Sequence, residues 1–352
     1  MSGKLNIAIV GAGALGGHVG AYLTRAGERI TFIDPWPEHV EKMRRDGLTL
    51  RGQTAPENFT VPVKAMHITE LQNSIKGEPF DLAFVSMKSY DTIWATEMIR
   101  PYLAPEGFVA SLQNSINEER IASVVGWGKT VGVIAATIAV ELMEPGLIRR
   151  NVALGGDNRL IFRVGETHGR ITPRVEHISE MLKCVDSSKA TDNLWGERWS
   201  KLAVNAMRNP VSAATGRGGN ANDRDDKTRL LAIRLAAEAV KVGHAHGYII
   251  EKVYGIPPDQ LVAAVDGDRA AMAATEKILL DNTLFRNDDQ RPSMGQDIQK
   301  GRRTEIDFIN GLVAEKAKDV GIEVPANRGI IEAVRKIERG QAKPSPELVY
   351  DI

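Results

Sequence analysis

The chain has a single cysteine, Cys184, so no intrachain disulfide can form and no cysteine cluster can hold a metal, a usage that fits a reducing cytoplasm. Cys184 itself reads as a small buried apolar side chain. Excess charge of one sign is missing too. Lys plus Arg and Asp plus Glu number 45 each, which leaves no positive field to hold a nucleic-acid backbone or an anionic membrane surface. No apolar run approaches the length of a bilayer span, and the opening "MSGKLNIAIVGAG" reads as a strand entering glycines rather than a signal peptide. His244 and His246 form "HAH" within a helical pattern that brings no carboxylate to ligand spacing, so no metal is expected. Internal repeats, low-complexity tracts and a long linker are also absent. What remains is an ordinary globular composition, 43% hydrophobic and 26% charged over 352 residues, enough for two domains.

"LNIAIV" (5–10) is a short β-branched run, followed by "GAGALG" (11–16) and by "GGHVGAYLTRAG", whose spacing is helical and which ends at a glycine. "RITFID" (29–34) is the next strand. It closes on Asp34, about 20 residues past the glycines, where a dinucleotide-binding unit places an acid on the adenosine ribose. Strand, glycines, helix, strand and acid in that order make a Rossmann unit. Its cofactor turn is Gly11, Ala12, Gly13, Ala14, Leu15 and Gly16: Gly11 and Gly13 let the backbone approach a pyrophosphate, Gly16 permits close packing of helix on strand, and the helix start offers N–H groups. An ordinary glycine turn, with Asp34 merely capping the chain before Pro35, is the plainer alternative. "FDLAFVS" (80–86), "GFVASLQ" (107–113) and "TVGVIAATIAV" (130–140) read as further strands, alternating with helices near 89–100 and 117–125, so the sheet should be parallel. Lys88 and Asn114 follow two of these strands at their carboxyl ends and should face the cofactor groove; a surface lysine and an Asx turn would also explain them. Residues 146–165 read as antiparallel β structure extending the sheet, and "RVEHISEMLKC" as one more helix.

The strand signal stops near residue 191. The expected fold class is therefore α/β, a Rossmann-type dinucleotide-binding domain (1–190) followed by an all-helical C-terminal domain (191–352). Helical patterns run over 193–215, 225–247, 269–282, 301–320 and 326–338, broken by "YGIPPDQ" and "RNDDQRPS", and "NANDRDDKTR" (220–229) reads as a solvated loop and helix start. Within "WSKLAVNAMRNP" (199–210), Lys201, Asn205 and Asn209 recur every four residues in an otherwise apolar helical run, which puts three polar heads on one face. Such a stripe suits a groove. A lysine snorkelling to water beside asparagines that bridge neighbouring helices is the other reading.

"GAGALG", "VSMKSYD", "LQNS", "WSKLAVNAMRNP" and "RPSMGQDIQKGRRTEIDFINGLV" (291–313) together make the chain resemble the ketopantoate reductase family, the 2-dehydropantoate 2-reductases of pantothenate biosynthesis, from the first strand to about residue 330. The resemblance implies that the helical domain binds substrate and carries catalysis, with Lys201 the general acid at the substrate carbonyl. It likewise implies substrate contacts for Asn205 and Asn209, the carboxylate end for Ser293, the catalytic hydrogen-bond network for Glu305, and the cofactor cleft for Lys88 and Asn114, the latter facing substrate as well. The chemistry agrees. Hydride addition turns the C2 oxygen of a 2-oxo acid into an alkoxide, so a cation able to give a proton must point at that oxygen. Hydroxyl and amide donors fix a carboxylate's orientation, and Glu305 would keep Lys201 protonated in a partly dry cleft. An acid in the first turn of a helix starting near Thr304 is favoured by the helix dipole in any case.

The chain departs from the family's pattern in three places. "QNS" stands where Q-N-G is usual, extra residues surround "EKVYGIPPDQLVAAVDGDRAAMAA", and Asp34 occupies the region where NADPH-using members carry a basic residue. NAD is thus the expected cofactor, with NADP left open because Lys88, Arg44 or Arg45 would offset a phosphate's repulsion if near it. The expected partner is a small 2-oxo acid or 2-hydroxy acid; nucleic acid and membrane are excluded, and a homodimer stays open. Competing readings are an NAD-linked dehydrogenase of another 2-hydroxy acid in catabolism, a noncatalytic dinucleotide sensor, and an opine-type or 6-phosphogluconate-type dehydrogenase. A sensor has no use for an acid catalyst, and the last two should lack the "VSMKSYD" block.

Overall fold

The apolar runs that open the chain become the interior of a sheet. The computed structural model describes residues 4–288 and 290–352, with residues 74–76 described in backbone only, and divides into two compact units, Met1–Leu194 and Trp195–Ile352. The first unit contains β1 (Asn6–Val10), β2 (Arg29–Asp34), β3 (Leu48–Arg51), β4 (Phe59–Val61), β5 (Lys64–His67), β6 (Phe80–Val85), β7 (Leu103–Ser111), β8 (Thr130–Ala135), β9 (Val140–Glu144), β10 (Leu147–Arg150), β11 (Phe162–Glu166) and β12 (Ser188–Thr191). Eight of them form one sheet in the order β12-β11-β8-β7-β6-β1-β2-β5. It is parallel except where β11 runs antiparallel to β8. Helices α1 (Ala14–Arg25), α2 (Pro37–Asp46), α3 (Thr92–Ile99), α4 (Glu118–Val125) and α5 (Pro173–Leu182) cover it. Ile7 and Ile9 pack with residues of α1, α2 and α5, while Ala8 and Val10 pack with α3 and α4, so β1 is apolar on both faces and shows no polar alternation. The chain leaves β1 toward β2 on one side and returns as β6 on the other, which opens a crevice at the carboxyl ends of β1 and β6.

Several expectations for this unit need correction. The run 130–140 is not one strand: β8 ends at Ala135, Thr137 takes a left-handed φ of 53°, and β9 belongs to a second sheet of order β4-β3-β10-β9. Only β11 of the 146–165 segment extends the main sheet, because β10 pairs with β3 and β9 instead. Cys184, expected to be buried, is exposed, since Leu182 and Val185 on either side take the inward positions.

His18 of α1 is buried with both ring nitrogens lacking a hydrogen-bond partner among the described residues. Burial, then the nearby Arg150 guanidinium, lowers its pKa to about 3, against a smaller opposing effect of Asp186. The unfolded chain therefore takes up a proton at His18 below its ordinary value of 6.5 that the folded chain refuses until about 3. This group leaves stability unchanged above about 6.5 and lowers it as pH falls from 6.5 toward 3, by roughly 5 kcal/mol over that window. Thermal midpoints measured from pH 7 to pH 4 should fall more steeply for the native protein than for His18→Leu; parallel profiles would mean that the imidazole reaches water in the folded state.

The second unit contains α6 (Leu194–Thr215, beginning at the boundary), α7 (Gly219–Arg224), α8 (Asp226–Ala245), α9 (Pro258–Val265), α10 (Arg269–Asn282), α11 (Ser293–Gln299), α12 (Asn310–Asp319) and α13 (Pro325–Glu338). Trp199, Leu202, Ala203, Ala206 and Met207 bury one side of α6, and the Trp199 indole donates to the Ala239 carbonyl of α8 at 2.7 Å. Two expectations fail here. The helix expected from 301 starts only at Asn310, so Glu305 lies in a turn and a helix dipole cannot account for it. The charged run 220–229 is not solvated throughout: Asn220, Asn222 and Asp223 are buried, and Asp223 pairs with Arg208 and, at 2.5 Å, with Arg286.

Candidate active site

The glycine turn joins β1 to α1 with its backbone locked from two sides. Gly11 N–H donates to the Ile33 carbonyl at 2.8 Å, and Ala12 N–H donates to Asp34 Oδ2 at 2.8 Å. Gly11 has a φ of 95°, and a Cβ at Gly16 would sit 2.1 Å from the Gly11 carbonyl oxygen, so neither position accepts a side chain. A Cβ at Gly13 would meet nothing within 4 Å. The turn is thus closed underneath and open above Gly13, at the start of a helix whose N-cap has no side-chain hydrogen bond. That arrangement fits a dinucleotide's pyrophosphate.

Asp34 does cap the chain, since its Oδ1 accepts the Trp36 N–H at 2.9 Å. Each carboxylate oxygen takes only one of these backbone donors and retains further acceptor capacity for ribose hydroxyls. Arg44 is committed to Glu41, Glu70 and the Ala65 carbonyl, and Arg45 to Asp46. His39, which the sequence reading passed over, holds the turn from behind: Nε2 donates to the Ala12 carbonyl and Nδ1 accepts the Gly146 N–H, each at 2.9 Å.

The loops after β6 and β7 are cross-tied. Gln113 Nε2 donates to the Met87 carbonyl at 2.8 Å and to Thr92 Oγ1 at 2.9 Å, while the Asn114 carbonyl accepts from Asn117 Nδ2 at 2.8 Å and from Ser89 Oγ at 3.3 Å. Lys88 and Asn114, both half-buried, therefore stand on mutually braced loops at the carboxyl edge of the sheet. Ser115, the last residue of "QNS", has a φ of 66°, a left-handed conformation that glycine would adopt without strain and a serine adopts at a cost.

In the second unit α6 carries all three residues of the stripe. Lys201 and Asn205 are half-buried, Asn209 is buried, and Asn205 Nδ2 is a buried donor with no partner among the described residues. Ser293 is the first residue of α11, directly after Pro292. The helix packs onto α6 beyond Asn209, since a Cβ at Gly295 would come within 2.5 Å of Ser212 Oγ. Glu305 is buried in the turn before α12, where its carbonyl accepts the N–H groups of Phe308 and Ile309 at 3.0 Å. Between Asn205 and Asn209 the same helix carries Arg208, whose buried pairing with Asp223 no local sequence signal announces. Among the described residues no group of three or more His, Cys, Asp or Glu side chains could hold a metal ion.

Comparison with known proteins follows the same division. The family profile "Ketopantoate reductase PanE/ApbA" matches residues 7–158, and "Ketopantoate reductase PanE/ApbA C terminal" matches residues 193–338. The 2-dehydropantoate 2-reductase of Pyrococcus horikoshii is 32% identical over 332 residues, covering 92% of this chain and 94% of that protein. The PanE/ApbA family ketopantoate reductase from Ralstonia eutropha JMP134 superposes with a TM-score of 0.75 at 27% identity, covering 95% of this chain and 99% of that one. A D-mandelate dehydrogenase solved with NADH and anilino(oxo)acetate has a TM-score of 0.78 at 21% identity, covering 96% of this chain and 99% of that one, a likeness of fold.

Proposed function

We propose, on the premise that this chain belongs to the ketopantoate reductase PanE/ApbA family, that it reduces a small 2-oxo acid at C2 with a nicotinamide cofactor, 2-dehydropantoate being the first substrate to test. The observation that carries the reading is the α6 stripe, which sets one ammonium and two amides on the same helix face within the part of the chain matched by the C-terminal profile. Bound nicotinamide supplies the hydride. Lys201 holds the C2 oxygen and gives it a proton, Glu305 keeps that ammonium oriented and charged, and Asn205, Asn209 and Ser293 hold the carboxylate and neighbouring oxygens. Gly11 to Gly16 take the pyrophosphate on open backbone, while Lys88 and Asn114 serve the nicotinamide end.

NADH is the preferred cofactor on this reading. Asp34 accepts both adenosine ribose hydroxyls, whereas the 2′-phosphate of NADPH would bring a dianion against its carboxylate. Arg44 and Arg45 are tied to carboxylates of their own. The native protein should have the higher kcat/KM with NADH, and Asp34→Asn should narrow the ratio; a native preference for NADPH would sink the assignment, and an unchanged ratio would move it to another residue. Asp34 also favours a second reading, the NAD-linked oxidation of a different 2-hydroxy acid. Absorbance at 340 nm, followed in both directions against branched and linear 2-oxo and 2-hydroxy acids, separates the two, and silence across the panel would favour a noncatalytic nucleotide sensor. No described helix is long and apolar enough to cross a membrane. The reading places the enzyme in the cytoplasm, as a monomer or a homodimer that sedimentation would distinguish.

A further inference from the structure

Pro210 lies inside α6, one residue after Asn209. A proline has no N–H, so the carbonyl four residues earlier, that of Ala206, lacks the donor that an uninterrupted helix would provide. Asn310, the first residue of α12 and fully buried, puts its Nδ2 there at 3.0 Å. The second hydrogen of the same nitrogen goes to Asn327 Oδ1 at 2.9 Å, and Asn327 Nδ2 in turn donates to Glu238 Oε2 at 2.8 Å and to the Leu235 carbonyl at 3.2 Å. Glu238 also accepts the backbone N–H groups of Ala326 and Asn327 at 2.9 Å each. A carboxylate only accepts, so Glu238 dictates which way the Asn327 amide faces, and Asn327 dictates the same for Asn310. The relay runs in one direction, from Glu238 on α8 through α13 and α12 to the backbone of α6. Asn310 Oδ1 is buried with no partner among the described residues, so the side chain is retained at a desolvation cost for what its nitrogen does.

The Ala206 carbonyl lies between the turn carrying Lys201 and Asn205 and the turn carrying Asn209. Three side chains four residues apart share a face only while the helix keeps its pitch through this gap, which is where the proline weakens it. We propose that Asn310 is a positioning residue: it replaces the hydrogen bond that Pro210 removes, and so holds Lys201 and Asn205 in phase with Asn209. The catalytic part of this inference rests on the reduction reading above; the tether does not.

The test compares the native protein, Pro210→Ala, Asn310→Ala and the double variant, because an alanine at 210 restores the missing N–H. Asn310→Ala should lower turnover by roughly tenfold or more while leaving KM for NADH nearly unchanged, and should lower the thermal midpoint by a few degrees. Pro210→Ala should stay close to native. The double variant should regain most of the lost turnover and midpoint. Asn310→Ser, whose side chain is too short to bridge Ala206 and Asn327, serves the same cycle if the alanine variant does not fold. An Asn310→Ala turnover within about twofold of native, with only the midpoint lowered, would reduce Asn310 to a structural role and overturn the proposal. So would a double variant no better than Asn310→Ala. A native protein silent toward every 2-oxo acid but showing the coupled midpoints would sink the reduction reading and keep the tether, whereas additive midpoints would sink the tether whatever the turnover.

Discussion

Replacing Lys201 with alanine should lower turnover with the true substrate by roughly 10² to 10⁴-fold and leave NADH binding nearly intact. The expectation follows from position rather than from residue type alone. The opposite side of α6, from Trp199 to Met207, is buried, so the ammonium on the half-buried side has a restricted set of neighbours, with an amide one turn away and another two turns away. An alkoxide forming at C2 needs both charge and a proton, and a lysine supplies the two from one atom. Near-native turnover in Lys201→Ala would mean that the lysine only extends its charge to water. The glycine turn proposed to take the cofactor lies in the other unit and is braced by Asp34 and His39, so nucleotide affinity is the internal control for intact folding.

Asp223→Ala is expected to cost about 3–5 kcal/mol of stability, read from denaturant midpoints. Asp223 is buried and divides its two carboxylate oxygens between the guanidinium groups of Arg208 and Arg286, both of which also lie over the Tyr254 ring, at 4.9 and 5.4 Å. Arg208 Nη2 is already buried with no partner among the described residues. Removing the shared carboxylate leaves two cations facing each other in a site largely closed to water, a larger penalty than the loss of any surface pair. A change below about 1 kcal/mol would show that the segment around α7 opens readily and lets water reach the guanidinium groups.

The same node marks the limit of what local sequence conveys. "NANDRDDKTR" has the composition of a solvated loop, and only partners distant in sequence, Arg208 and Arg286, bring Asp223 inside. Similar logic governs the strands. β1 and β6 are legible because strands buried on both faces are continuous apolar runs. β3 and β4 are very short, and β3 finds its parallel partner far downstream, where Thr49 pairs with Leu147, so nothing nearby separates them from loop. "GRRTE" contains good helix formers, yet the Thr304 N–H is taken by the Glu338 side chain and regular helix waits until Asn310. The candidate site fares better. A four-residue recurrence needs only a helix to become a stripe, and a glycine whose Cβ would strike a carbonyl oxygen admits no substitute, so both features survive any tertiary arrangement. What the sequence could not disclose is how the site is braced: His39 behind the turn, Gln113 between two loops, and an asparagine standing in for a proline's missing hydrogen.

His39 has one more consequence. By joining the Ala12 carbonyl to the Gly146 N–H, it ties the glycine turn to the bend between β9 and β10, so the small second sheet acts as a buttress for a loop it does not belong to. On the reading that this turn takes the nucleotide, the conformational entropy lost in shaping it is given up when the polypeptide folds and not again at each association. Preorganisation of this kind would make cofactor affinity depend on residues remote from the nucleotide itself, and would turn the hairpin of β9 and β10 into part of the binding thermodynamics.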